Sequence, residues 1–253
     1  MNETIAALTG TAAALGFIHT LSGPDHYIPF IVMAKARKWT WVKTTWITVL
    51  CGLGHVGSSI ILGAVGIAFG IGVARLEFFE GYRGSAAAWL FILFGLAYFI
   101  WGLVKGIRNR KHEHFHVHGN KIIHAHEHEH HSEKGNICNS SDEHKHASEK
   151  IPVHAHKHKA NLTPWILFTI FVFGPCEPLI PLLMYPAAKE STWGTVMVAG
   201  VFSVVTIATM LVMVLLPLKG LRLFSTKWLE RWMHTIAGAT ILICGLGIEF
   251  FGL

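Results

Sequence analysis

Six apolar stretches, separated by four short polar segments and one long one, organise this chain. They cover roughly residues 4–34, 44–74, 84–106, 162–187, 193–218 and 229–252. A helix crosses a bilayer in about 20 apolar residues, so each stretch predicts a membrane-spanning helix; the first two are long enough to require tilt, a break or an extension beyond the membrane. Polar residues interrupt two of the six. "SGPDH" (residues 22–26) cuts the first and "FGPCEP" (173–178) cuts the fourth. Proline has no N–H and clashes with the preceding turn, while glycine accepts backbone angles that other residues resist, so helices 1 and 4 are expected to be broken.

Composition agrees with this pattern. Hydrophobic residues make up 52% and charged residues 14%, where soluble domains carry about a quarter charged. The reading is an all-α, polytopic membrane protein with six transmembrane helices. Lys35, Arg37, Lys38 and Lys43 follow the first span, Lys105, Arg108, Arg110 and Lys111 the third, and Lys219, Arg222, Lys227 and Arg231 the fifth. The loop after the second span offers Arg75 and Arg83 only, and that after the fourth only Lys189. The positive-inside rule then predicts a plasma-membrane protein with both termini outside and the long third loop in the cytosol. The basic pI of about 9.2 follows from that topology and calls for no nucleic-acid partner. No basic segment precedes the first apolar run, which is therefore expected to be a retained span and not a cleaved signal. The four cysteines, Cys51, Cys138, Cys176 and Cys244, are scattered singly, with no pattern of a disulfide framework.

The two halves resemble one another. Trp89, Gly95, Gly102 and Leu103 fall on Trp232, Gly238, Gly245 and Leu246 without a gap, and "GPDHYIP" matches "GPCEPLIP" with one inserted residue. Chance recurrence of Gly, Leu and Trp in membrane helices is the competing explanation. Three spans per repeat is an odd number, so the second copy would run through the membrane inverted. Residues 1–104 and 161–253 are thus expected to form two inverted three-helix repeats, flanking a polar segment over 105–160. Inverted repeats with interrupted helices near the midplane are the plan of many secondary transporters, whose sites lie at the breaks.

The breaks also carry the chemistry. His19, Asp25 and His26 surround the first, Cys176 and Glu177 occupy the second, and Cys51, His55 and Ser59 form one stripe of span 2 at i, i+4, i+8. A charged carboxylate at the bilayer centre costs about 2.5–3.5 kcal/mol on insertion scales, and a bound cation would offset it. Imidazole, carboxylate and thiolate together suit a borderline divalent metal such as Ni, Co or Zn. The metal-ligand candidates are His19, Asp25, His26, His55, Cys176 and Glu177. Any one of these histidines alone would be as readily a packing residue. Cys51 and Cys244 read as small apolar filler, His234 as a gate, an interface residue or neither, and Glu249 as a solvated end residue.

The segment over 105–160 holds fourteen of the eighteen histidines, in runs such as "HEHFHVHG" and "HAHEHEHH". It lacks the apolar residues to build a core and is expected to be a disordered cytosolic metal collector that meets a metal donor or acceptor.

"HTLSGPDH" with "GLGH" resembles the nickel/cobalt transporter superfamily: the nickel/cobalt permeases, the nickel/cobalt efflux proteins and the urease-accessory membrane proteins. The "GPDH" form is nearest the urease-accessory branch. The resemblance covers six spans in outline and spans 1, 2 and 4 in motifs. It implies a divalent metal transporter with His19, Asp25, His26 and His55 as metal residues and no cofactor beyond the transported ion. Cys176 and Glu177 depart from the permeases' fourth-span pattern. The alternative is a thiol–disulfide electron transporter resembling the cytochrome c biogenesis type, using Cys176. No nucleophile–base pair or nucleotide loop suggests an enzyme.

Overall fold

A computed structural model describes residues 2–108, 113–117, 123–127, 162–188, 192–221 and 227–252. The chain divides into two compact units, Met1–Ile107 with Leu162–Leu253, and Arg108–Asn161. Among the described residues the first unit is all-helical: α1 (Asn2–Ser22), a 3-10 turn (Pro24–His26), α2 (Ile28–Ala36), α3 (Trp41–Ala68), α4 (Val73–Arg108), α5 (Thr163–Phe173), α6 (Leu179–Ala188), α7 (Thr192–Leu221) and α8 (Lys227–Phe251). Five of these helices, α1, α3, α4, α7 and α8, are long and apolar enough to cross a membrane. They mark an integral membrane protein.

The helices break where the two Gly-Pro pairs stand. α1 ends at Ser22 and α2 resumes at Ile28, with the 3-10 turn between. At Gly23 a Cβ would fall 2.6 Å from Nδ1 of His26 and 2.8 Å from Oδ1 of Asp25. Only glycine leaves that space to the two side chains. The second break separates α5 from α6 over residues 174–178, and neither piece is long enough to cross a bilayer alone.

Helix faces are sorted as a lipid environment requires. On α3 the buried face carries small and polar residues, Thr44, Thr48, Cys51, His55 and Ser59, while Trp46, Leu53 and Ile61 are exposed. The large apolar face would waste nothing against lipid, and small residues inside let backbones approach. One apolar cluster gathers Phe30, Met33, Ile170, Phe171, Met210 and Ile241 from α2, α5, α7 and α8. A second joins Ala12, Val56, Cys176, Leu179 and Phe202.

α4 and α8 pack antiparallel through the glycines of the matched segments. Gly95 lies against Ile241 and Leu242, Gly102 against His234 and Thr235, Gly238 against Tyr98 and Phe99, and Gly245 against Phe91 and Ile92. Exchanging the two helices at the spacing of the sequence match turns each contact into another of the set. Two other pairs of contacts echo this: α1 packs on α7 as α5 packs on α3, and α2 on α7 as α6 on α3.

Two expectations change, and a third narrows to one of its alternatives. Span 3 does not start at residue 84: α4 begins at Val73, so Arg75 and Arg83 are helical and not loop charges. The turn that ends α3 is made by Gly70 in the left-handed region, with the Ile71 amide returning to the Gly66 carbonyl at 2.8 Å, and α4 starts three residues on. Glu249 is not simply solvated, since it accepts from Ser85 Oγ and Trp89 Nε1 of α4. His234 takes an interface role, with Nδ1 2.8 Å from Tyr98 Oη and its ring 4.9 Å from that of Trp101.

Most of the segment expected to be disordered lies outside the described residues. Within it, β1 (Glu113–Val117) and β2 (Ile123–Glu127) pair antiparallel, and the register sets His114 opposite His126 and His116 opposite His124.

Candidate metal centre

The first break assembles three imidazoles. His19 comes from the last turn of α1, His26 from the 3-10 turn and His55 from the middle of α3. One ring nitrogen from each lies within 4.8 Å of the others. The ring of His26 stands edge-on to both neighbours, with centroids 4.8 Å from His19 and 4.9 Å from His55, while His19 and His55 lie parallel at 6.2 Å. His26 and His55 are 3% and 2% exposed and His19 is half-buried. The α-helical spacing of His19 and His26 is lost in the break. What brings the two rings together is the reversal at Gly23–Pro24.

Asp25 orients the middle histidine. Its Oδ1 is 3.1 Å from Nδ1 of His26, which also lies 3.2 Å from the Gly23 carbonyl. Both partners are acceptors, so Nδ1 carries the proton and Nε2 turns its lone pair toward the centre. There Nε2 of His26 meets Nε2 of His55 at 3.3 Å. Nε2 of His19 is buried without a hydrogen-bond partner, and the Phe171 backbone is a polar neighbour of the His55 ring. Buried polar groups are normally paired, and an unpaired one costs about 1–3 kcal/mol. Nε2 of His26 and Nε2 of His55 face one another, where a cation would take both lone pairs, whereas Nδ1 of His55 lies on the other side of its ring, beside Gly174. Metal–imidazole bonds of about 2.1 Å allow two ligand nitrogens to be no more than about 4.2 Å apart, so the widest pair needs to close by about 0.6 Å at most. Phe171 walls the site, its ring centroid 6.4 Å from His26 and 6.2 Å from His55.

Of the six candidates, the structure brings together His19, His26 and His55, with Asp25 attached through His26. Cys176 is buried in the second apolar cluster and does not belong to the three-histidine group. Glu177 is exposed. Cys51 sits in the other apolar cluster, and Cys51, Cys176 and Cys244 are all free thiols.

Sequence reasoning missed the pair that fills the second break. Glu80, 1% exposed, accepts from Arg83 Nη1 at 2.7 Å and from the Cys176 amide at 3.3 Å. The signal is an i, i+3 acid–base pair next to an apolar run, in a stretch that hydrophobic patterning alone reads as a loop.

No protein-family model, curated protein or solved structure matches the chain.

Proposed function

We propose that this chain is a membrane transporter of divalent transition-metal ions, nickel or cobalt first, with the ion as substrate at His19, His26 and His55. The observation that carries the reading is the cluster of three imidazoles, two buried and one half-buried, at a helix break in a chain with five membrane-length helices. Neutral imidazoles suit nickel, cobalt and zinc, and the Asp25 carboxylate offsets part of the ion's charge one bond away. Three neutral ligands and an indirect carboxylate leave coordination positions open, as a site that must also release its cargo requires.

The architecture in this proposal is six spans in two inverted repeats, with α1–α2 as the first span and α5–α6 as the fourth. It is supported by the exchange-symmetric glycine contacts of α4 and α8 and by two matched pairs of contacts, α1–α7 with α5–α3 and α2–α7 with α6–α3. An antiparallel pair related by exchange is what an in-plane two-fold axis produces. The charge pattern orients the termini outside and the histidine-rich segment in the cytosol, where it collects metal for the site or receives it. The thiol–disulfide alternative is less favoured for the pair Cys51 and Cys176, which lie in different apolar clusters.

Flux of radiolabelled nickel or cobalt into proteoliposomes tests the reading. His19→Ala, Asp25→Ala, His26→Ala and His55→Ala are each expected to abolish flux while the protein remains inserted. Unchanged flux in all four would sink the site.

A further inference from the structure

Arg83 connects four pieces of chain around the second break. Its Nη2 donates to Ser58 Oγ at 2.6 Å, to the Val172 carbonyl at 2.9 Å and to the Gly174 carbonyl at 3.3 Å. Its Nη1 donates to Glu80 Oε1 at 2.7 Å and reaches Ser59 Oγ at 3.5 Å. Through Glu80 the same network holds the Cys176 amide, on the far side of Pro175. A helix that stops at Phe173 leaves its last carbonyls without amide partners, and inside a membrane no water is at hand to take them. A planar guanidinium can serve several carbonyls and hydroxyls at once; a lysine ammonium cannot match that fork.

Two of those anchors flank His55. Ser58 Oγ, which accepts from Arg83, itself donates to the His55 carbonyl at 2.8 Å. Gly174, whose carbonyl is the other anchor, stands so near that a Cβ there would be 3.1 Å from Nδ1 of His55. Gly84 brings α4 up against Pro175, where a Cβ would lie 3.0 Å from the proline ring.

We propose that Arg83 is a positioning residue for the three-histidine site: its guanidinium latches the broken end of α5 onto α3 and thereby sets where His55 stands. This rests on the metal-site reading above. The two breaks then divide the work. The first leaves its polar groups open for a cargo cation, and the second is filled permanently by a cation of the chain. Glu80 keeps the guanidinium turned toward the break.

The test uses the full-length protein in detergent, with Co²⁺ alone as the probe. Its visible absorption reports the ligand field, and titration gives the affinity. Modification of His55 by diethylpyrocarbonate, mapped by mass spectrometry without metal, reports whether the ring remains buried. Arg83→Gln is expected to weaken Co²⁺ binding about 10–100-fold, the usual effect of removing support behind a metal ligand, to change the spectrum and to speed modification of His55. Arg83→Lys should not restore either readout, because it keeps the charge and loses the fork. Should Arg83→Gln fail to fold with Glu80 left unpaired, the double variant Glu80→Gln/Arg83→Gln removes both charges and still lacks the latch, so it should show the same losses. Wild-type affinity, spectrum and His55 protection in the double variant overturn the latch while leaving the metal site intact. A wild-type protein that binds no Co²⁺ overturns the metal reading, and this inference with it.

Discussion

Gly102→Ala should destabilise the helical unit, although alanine is the better helix former. At position 102 a Cβ would stand 2.6 Å from the Thr235 amide nitrogen and 2.7 Å from the His234 carbonyl carbon. Ordinary contact begins near 3.4 Å, so α4 and α8 have to separate by about 0.8 Å. The obstacle is backbone, which has no rotamer to offer. A gap of about 0.5–1 Å forfeits a quarter to a half of the dispersion attraction along the contact, and in a bilayer that attraction is a main force between helices. Overpacking of this kind costs about 1–3 kcal/mol, against about 1 kcal/mol gained by replacing a helical glycine. The expected net loss is up to about 2 kcal/mol. Gly200→Ala in α7 is the control, because nothing lies within 4 Å of its Cβ position; it should be neutral or stabilising by up to about 1 kcal/mol. Gly245→Ala, at the exchanged position with a Cβ 2.8 Å from the Ile92 amide nitrogen, should behave like Gly102→Ala. Thermal unfolding in detergent, followed by tryptophan fluorescence, separates the three. If Gly102→Ala is as stable as Gly200→Ala, the close antiparallel contact is wrong, and the exchange argument for inverted repeats loses its basis.

Two further outcomes are expected. Cys176→Ser should leave the Co²⁺ spectrum unchanged while lowering stability by about 1–3 kcal/mol, the cost of a hydroxyl among the apolar residues that now surround the thiol; a spectral shift would make the thiolate a ligand. Deleting residues 112–158 should preserve flux at saturating metal and weaken it when metal is scarce, since a chelating tract raises local concentration without forming the path; loss of flux at saturating metal, with the helical unit intact, refutes the collector.

The hydrophobic pattern by itself determined that the chain is helical and membrane-embedded, because a span of about 20 apolar residues has few other homes. It located both breaks as well, since Gly23–Pro24 and Gly174–Pro175 act on their own backbone whatever surrounds them. The histidines of the first break were legible as chemistry, being expensive in lipid and close in sequence to a carboxylate. Sequence could not say which side chains share a centre. Cys176 and Glu177 occupy the position that matches Asp25, yet one is buried among apolar residues and the other is exposed. A break scrambles helical phase, so what faces His55 is decided by how the first break and α5 pack against α3. The extent of α4 was likewise invisible. Arg83 next to an apolar run looks like a loop charge until Glu80, the Ser58 hydroxyl and the carbonyls of Val172 and Gly174, about 90 residues along the chain, are brought around it. Local rules fix where a backbone stops; partners distant in sequence fix what fills the gap, and those exist only once the helices have packed.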